Sequence, residues 1–384
     1  MPQSADLILP APDLETLREI CSWDGFRPAT FPSSDFPVDV VRFEGSASRP
    51  VVISRSKRAE TLRAMPASLR ERADAAFARA AARPARLRLA RGGSLDLSGG
   101  PVLMGVLNVT PDSFSDGGLY FDRDRAVEGA LRMFEEGAAI VDVGGESTRP
   151  KSYGAAREPT ADEELARVVP VIVGIRARSQ APLSIDTRRA VVAREAFAAG
   201  ADLVNDVSGG RFDPDMAETI GKTGAGAILM HMKGTDPRTM QDDLHYDHPV
   251  AEVAAVLAAA ARRALEAGAA PDGVAIDPGL GFGKSLEGNL LLLRHLAAFR
   301  SLGLPLAVGA SRKGFVRRFS GVAEDSPAED RLAGSLSALS AAAAAGAAIL
   351  RVHDVLASAR FLRMSQAIAR PRISTPAPAG APVP

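Results

Sequence analysis

Val102-Leu-Met-Gly-Val-Leu-Asn108-Val-Thr-Pro-Asp-Ser-Phe-Ser-Asp-Gly-Gly118 passes from a short apolar run into a loop. Val102 to Leu107 has the length of a strand buried on both faces. It stops at Asn108, and Thr110, Pro111, Asp112, Ser113, Asp116, Gly117 and Gly118 make a turn-rich connection. A helical pattern through Ala126, Leu131 and Phe134 follows, and then a second apolar run, Ala139 to Val143. That run ends in Gly144-Gly-Glu146-Ser-Thr148-Arg149-Pro150. Two strand–loop–helix units in a row, each polar at the strand's carboxyl end, predict a parallel α/β enzyme.

The same alternation continues to the end of the chain. Further strands are expected at Leu183–Ile185, Leu203–Val204, Ala227–Met230, Val274–Ile276, Leu306–Val308 and Ala348–Val352. Helices are expected at Asp124–Glu136, Ala161–Arg178, Ala190–Ala199, Pro214–Lys222, Val250–Gly268, Leu286–Arg300, Ala328–Ala345 and Val355–Ala369. Eight strands alternating with eight helices predict a (β/α)8 TIM barrel. A doubly wound sheet has fewer strands and a glycine-rich first turn, which this chain lacks.

Residues 1–90 have another texture and read as an N-terminal extension of uncertain fold. Proline, serine and the aromatics Trp23, Phe26, Phe31 and Phe36 are scattered from Ser22 to Pro50. A basic helix is expected from Leu62 to Ala82, solvated and loosely packed on the barrel. Because the barrel pattern begins after it, a chain lacking Met1 to Pro84 is expected to fold and stay active. Residues 91–369 make the catalytic domain, and the Pro/Ala-rich tail 370–384 reads as disordered.

Composition narrows the function. Lys plus Arg equals Asp plus Glu at 46 each, so charge gives no sign of nucleic-acid or membrane binding. Cys21 is the only cysteine, which excludes an internal disulfide and fits a reducing compartment. No signal peptide is evident, and the longest apolar tract, Leu332 to Ile349, is mostly alanine interrupted by serine and glycine. A cytoplasmic protein is expected.

The strand ends carry the chemistry. They are Asn108, Glu146 to Arg149, Asp186-Thr-Arg188, Asn205-Asp206, Met230-His231, Asp277 to Lys284, Ser311-Arg-Lys313 and Arg351-Val-His353-Asp354. One polar residue after a strand usually caps a helix. Eight such ends, gathered in one ring by a barrel, make an active site the better reading. Asp277, Asp186 and Asn205 suit a ring edge rich in donors, while Lys313, Arg351, His353 and Arg149 suit phosphate.

Two look-alikes fail. Gly279-Leu-Gly-Phe-Gly-Lys284-Ser285 resembles a phosphate loop, but Pro278 stands where that pattern needs glycine. His245-Tyr-Asp-His248 has metal-ligand spacing but sits in a polar, cysteine-free loop and reads as surface.

NVTPDSFSDGG and GGESTRP, with IDT at 185–187, ND at 205–206, MHMKGTD at 230–236, DPGLGFGK at 277–284, SRK at 311–313 and RVHDV at 351–355, resemble dihydropteroate synthases. The likeness covers about Leu87 to Ala369. The resemblance implies condensation of 6-hydroxymethyl-7,8-dihydropterin pyrophosphate with 4-aminobenzoate, giving 7,8-dihydropteroate and pyrophosphate, in the enzyme class that sulfonamides target. It implies a pterin site at Asp186, Asn205, Met230, Asp277, Phe282 and Lys313. It places pyrophosphate at Asn108, Arg149, Arg351 and His353, with Mg2+ at Asn108, and aminobenzoate at Thr148, Arg149, Pro150 and Lys313. Asp186, Lys313, Arg351 and His353 are the expected catalytic residues, and a homodimer is expected. Lys151, Gly314 and Leu280 depart from common family residues, and none removes a needed group.

Two other readings stand beside this one. A methyltetrahydrofolate-dependent methyltransferase uses a similar pocket but does not need the NVTPDSF, STRP or RVHDV segments. A catalytically silent pterin-binding paralogue would not need its anion site intact.

Overall fold

The computed structural model describes residues 6–11, 14–22, 37–44, 50–110, 119–146 and 158–369. The loop 111–118, the Thr148-Arg149-Pro150 segment and the tail 370–384 lie outside them.

The extension has a fold of its own. β1 (Leu7–Ala11), β2 (Val38–Arg42) and β3 (Val51–Ser54) form an antiparallel sheet in that order. Helix α1 (Leu14–Ser22) lies between the first two strands in the chain. The helix expected over 62–82 is instead two, α2 (Arg58–Ala64) and α3 (Ala67–Ala81). Pro66 explains the break: the residue before proline is driven from helical geometry, and Met65 has ψ 153°.

Both faces of this sheet are covered. Ile8, Val41, Phe43 and Ile53 pack with Leu62, Ala73 and Ala76 of the two helices. Leu7, Leu9, Val38 and Val40 join Leu17, Ile20 and the barrel residues Leu296, Phe299 and Leu302 in one continuous core. Polar contacts reinforce the join: the Ile8 amide donates to Ser301 Oγ at 3.0 Å, and Arg79 Nε to the Ser301 carbonyl at 2.5 Å. The extension is therefore not a loosely held arm, and the structure argues against its being dispensable.

A small hairpin, β4 (Arg86–Arg88) and β5 (Ser94–Asp96), leads into the barrel. Barrel strands and helices then alternate: β6 (Val102–Asn108), α4 (Leu119–Glu135), β7 (Ile140–Gly144), α5 (Ala161–Arg176), β8 (Leu183–Asp186) and α6 (Ala190–Ala199). Next come β9 (Leu203–Asp206), α7 (Met216–Thr223), β10 (Gly226–Met230), α8 (Pro249–Glu266), β11 (Val274–Asp277) and α9 (Leu286–Arg294). The circuit ends with β12 (Ala307–Val308), the short α10 (Gly314–Phe319), α11 (Leu332–Ala345), β13 (Ile349–Val352) and α12 (Val355–Ala369). The helix expected over 286–300 gives way at His295 to a 3-10 segment, Leu296–Leu302.

All eight barrel strands are parallel, in the order β11-β10-β9-β8-β7-β6-β13-β12. An isolated bridge, Ile276 to Leu306, joins the two ends and closes the TIM barrel. Leu87, Leu89, Leu95 and Leu97 of the hairpin region pack with Met104, Ile140, Leu203, Ile228, Ala275, Ala307 and Ile349. These leucines plug the floor of the bore, so its open end lies at the strands' carboxyl termini.

Helix starts follow local chemistry. Thr160 and Glu163 form a reciprocal capping box at α5. Ser285 Oγ accepts from the Gly288 amide at 2.9 Å at the start of α9. No helix among the described residues is long and apolar enough to cross a membrane.

Candidate active site

Strand periodicity decides which residues enter the bore. Side chains alternate faces, so residues two apart share one. Ile140, Leu203, Ile228, Ala275 and Ile349 belong to the inner cluster on the floor. Two residues on, the same parity directs Asp142, Asn205, Met230, Asp277 and Arg351 inward. The residues between them, Val141, Val204, Leu229, Ile276 and Leu350, belong to the core beneath the helices.

An ion-pair network spans this ring. Arg351 Nε donates to Asp142 Oδ2 at 2.7 Å, and its second nitrogen to Asp186 Oδ2 at 2.6 Å. Asn205 Nδ2 donates to the same Asp142 oxygen at 2.9 Å. Thus the fully buried Asp142 joins two predicted site residues and was itself missed in the sequence. Its other oxygen, Oδ1, has no hydrogen-bond partner.

One guanidinium serves two carboxylates here. Burial pushes the Asp186 carboxyl up to about 8, with Arg351 opposing and Asp142 adding to the rise. The Arg351 guanidinium is held charged by the same two acids despite its burial.

Asp277 and Lys313 form the opposite wall. Asp277 is buried, and its Oδ1 accepts from the Gly279 amide at 2.7 Å. Burial raises its pKa, and the Lys313 charge opposes the rise. Burial likewise lowers the Lys313 amine to about 8, against the pull of Asp277. Lys313 Nζ donates to the Leu280 carbonyl and lies 4.6 Å from the Phe282 ring centre. Phe282 in turn packs on Val207, Met230, Met232 and Met240, an apolar wall beside the polar one.

The residue before Lys313 does not point at the site. Arg312 has φ +60°, an uncommon left-handed value for a side-chain-bearing residue. Its guanidinium pairs with Asp354 at 2.5 Å and Glu329 at 2.9 Å. It ties the start of α12 to the turn that presents Lys313. His353 Nδ1 lies 3.1 Å from Ser311 Oγ, so these two strand ends meet. Asn108, half-buried, ends β6 opposite Gly144.

Glu146 and Glu158, which flank residues 147–157, are held by the same two arginines. Arg188 reaches Glu146 at 3.0 Å and Glu158 at 2.6 Å. Arg189 pairs with Glu146 at 2.9 Å, Glu164 at 2.6 Å and also Glu158. Glu146 thus belongs to a structural network. Thr148, Arg149 and Pro150, the expected aminobenzoate residues, lie outside the described residues.

His245 is exposed and pairs with Asp247 at 3.0 Å. No group of three or more His, Cys, Asp or Glu among the described residues is arranged to hold a metal. The Asn108 amide oxygen suits an ion that keeps its waters and takes its other ligands from phosphate, as Mg2+ does.

Comparison with known proteins agrees with this geometry. Residues 104–353 match the family model described as pterin binding enzyme. The chain is 43% identical over 275 residues to the dihydropteroate synthase of Haemophilus influenzae, covering 72% of this chain and 96% of that protein. It is 46% identical over 265 residues to that of Mycobacterium leprae, covering 68% and 91%. Among solved structures, Xanthomonas albilineans dihydropteroate synthase with 4-aminobenzoic acid superposes with TM-score 0.68 at 42% identity, covering 75% of this chain and 99% of that one. The Yersinia pestis enzyme in a sulfonamide drug complex gives 0.67 at 42% identity, covering 74% and 99%. With a closed barrel, a polar bore and near-complete coverage of these relatives, the chain belongs to the dihydropteroate synthase family of pterin-binding enzymes.

Proposed function

We propose that this chain condenses 6-hydroxymethyl-7,8-dihydropterin pyrophosphate with 4-aminobenzoate, forming 7,8-dihydropteroate and releasing pyrophosphate. Residues 91–369 carry the activity, in the cytoplasm and as a homodimer. The observation that supports it most is the bore itself. Asp186, Asn205 and Asp277 set acceptors and an amide at neighbouring strand ends, and Met230 and Phe282 supply an apolar face beside them. That combination fits a flat heterocycle with many N–H donors.

Each group has a task in this reading. Asp277 accepts from the ring's donors, Asn205 reads its edge, and Lys313 donates to a ring acceptor. The bond between the methylene carbon and the pyrophosphate oxygen breaks, and its electron pair leaves with pyrophosphate. Asp186, as carboxylate, stabilises the positive charge left on the methylene and ring. Arg351 and His353 hold the leaving anion, and Arg351 already bridges from that side to Asp186. The aminobenzoate nitrogen then forms the new C–N bond and gives up a proton, so no enzyme nucleophile is needed. Mg2+, held through Asn108, supplies charge neutralisation of pyrophosphate when bound.

The test is pyrophosphate release by the full chain given both substrates and Mg2+. No release, with pterin pyrophosphate still bound, would favour the silent paralogue. Methyl transfer from methyltetrahydrofolate would favour the methyltransferase.

Asp277→Ala is expected to abolish pterin pyrophosphate binding in calorimetry, and Asp277→Asn to weaken it while the fold persists. A charge-assisted hydrogen bond is worth about 1.5–3 kcal/mol, so roughly 10- to 100-fold is expected for asparagine. Unchanged binding by the alanine variant would remove Asp277 from the pocket.

The pH profile carries a second expectation. Lys313 must be protonated, a form lost as pH rises through about 8. Asp186 must be ionised, a form gained through about 8. The kcat/KM for the pterin substrate should therefore form a narrow bell near pH 8, its acid limb from Asp186 and its alkaline limb from Lys313. Lys313→Arg should remove the alkaline limb, because guanidinium does not titrate there. An alkaline limb unchanged in that variant would assign it elsewhere.

A further inference from the structure

Lys284 ends the segment that mimics a phosphate loop, and the chemistry above leaves it unused. It is 4% exposed. Its ammonium meets the carbonyl oxygens of His231 at 3.0 Å, Gly279 at 2.8 Å and Phe282 at 3.0 Å, and His231 Nδ1 at 2.8 Å. This shell of carbonyls and one imidazole nitrogen resembles the coordination of a bound monovalent cation. Burial pulls the amine's pKa well below the usual lysine range and keeps His231 neutral, while four contacts that can all accept hold the proton on the amine against that pull.

The shell joins two neighbouring strand ends. His231 follows β10, while Gly279 and Phe282 follow β11. Their backbones touch: a Cβ on Gly279, whose φ is +68°, would lie 1.9 Å from the His231 carbonyl oxygen. Carbonyl dipoles converging this closely repel one another unless a cation sits between them. The far side of the loop supports Lys313, through the Leu280 carbonyl and the Phe282 ring. Gly281 is equally confined, since a Cβ there would lie 3.0 Å from Lys313 Cδ.

We propose that Lys284 is a positioning residue of the pterin pocket, a built-in cation that clamps the β11 loop to the end of β10. It thereby fixes the Leu280 carbonyl and the Phe282 ring on which Lys313 rests. This inference rests on the pterin reading of the bore. The two are separable, because wild-type affinity for the pterin substrate is measured first, and its absence would count against that reading alone.

The experiment compares Lys284→Ala with Lys284→Met, which fills the space without charge. Calorimetry should show pterin pyrophosphate binding weakened about 10- to 100-fold in both. The KM for 4-aminobenzoate should rise by less than the pterin affinity falls, because, of the residues expected at that site, only Lys313 rests on the clamp. Ethylammonium should restore affinity to Lys284→Ala, whose carbonyl cage is vacated, and not to Lys284→Met. Wild-type affinity in either variant, equal losses for both substrates, or no rescue by ethylammonium would each overturn the proposal. If Lys284→Ala does not fold, Lys284→Gln carries the test, and normal pterin affinity in it overturns the clamp.

Discussion

Arg351→Gln is expected to destabilise the barrel by about 3–5 kcal/mol and to abolish pyrophosphate release. The cause lies with its partners. Asp142 is fully buried, and one of its oxygens already lacks a partner. Removing Arg351 leaves that carboxylate with the Asn205 amide alone, and leaves Asp186 without its guanidinium. Denaturant titration measures the stability loss. The double variant Asp142→Asn/Arg351→Gln should recover most of it, because the stranded charge is gone, yet recover no activity. A double variant as unstable as the single one would show that Arg351 acts through packing.

Deletion of Met1 to Pro84 should give an insoluble or strongly destabilised chain. Leu296, Phe299 and Leu302 are buried in a core shared with Leu7, Leu9, Val38 and Val40. Uncovering such side chains costs about 1.5–3 kcal/mol each. His295 Nε2 would also lose Glu19 at 3.2 Å, and Arg294 would lose Thr16 at 2.9 Å. Soluble expression and thermal melting of the truncated chain decide the matter. A truncated protein that melts with the full chain would show that the shared surface contributes nothing.

The barrel was legible in the sequence because every barrel strand is buried on both faces and short. Such strands read as apolar runs with a polar stop, and the polar stops make up the candidate site. Asp142 escaped because it interrupts a run without ending it: it lies between Val141 and Val143 and looks like a blemish in a strand. Its meaning depends on parity with Ile140, which is known only once one face is assigned to the bore. Glu146 reads the opposite way: it follows a strand as the candidate site residues do, but Arg188 and Arg189 draw it into an ion-pair network. The extension was illegible for a third reason. Its strands are brief and widely spaced, β1 and β2 being separated by helix and by proline-rich sequence, so neither period nor spacing announces a sheet. What holds it is a surface supplied by the barrel, and that partner is invisible to local patterns.

Closure of the barrel between β11 and β12 rests on the single bridge from Ile276 to Leu306. The adjoining pair β10–β11 runs in register over four residues, Ala227 to Met230. The wall is therefore a hoop with one lightly stitched seam. Asp277 stands on one lip, directly after Ile276, and Lys313 follows the strand that forms the other. A ring held by both residues lies across the seam like a fastener. In the proposed pose, pterin binding would therefore stiffen the barrel where its wall is least paired.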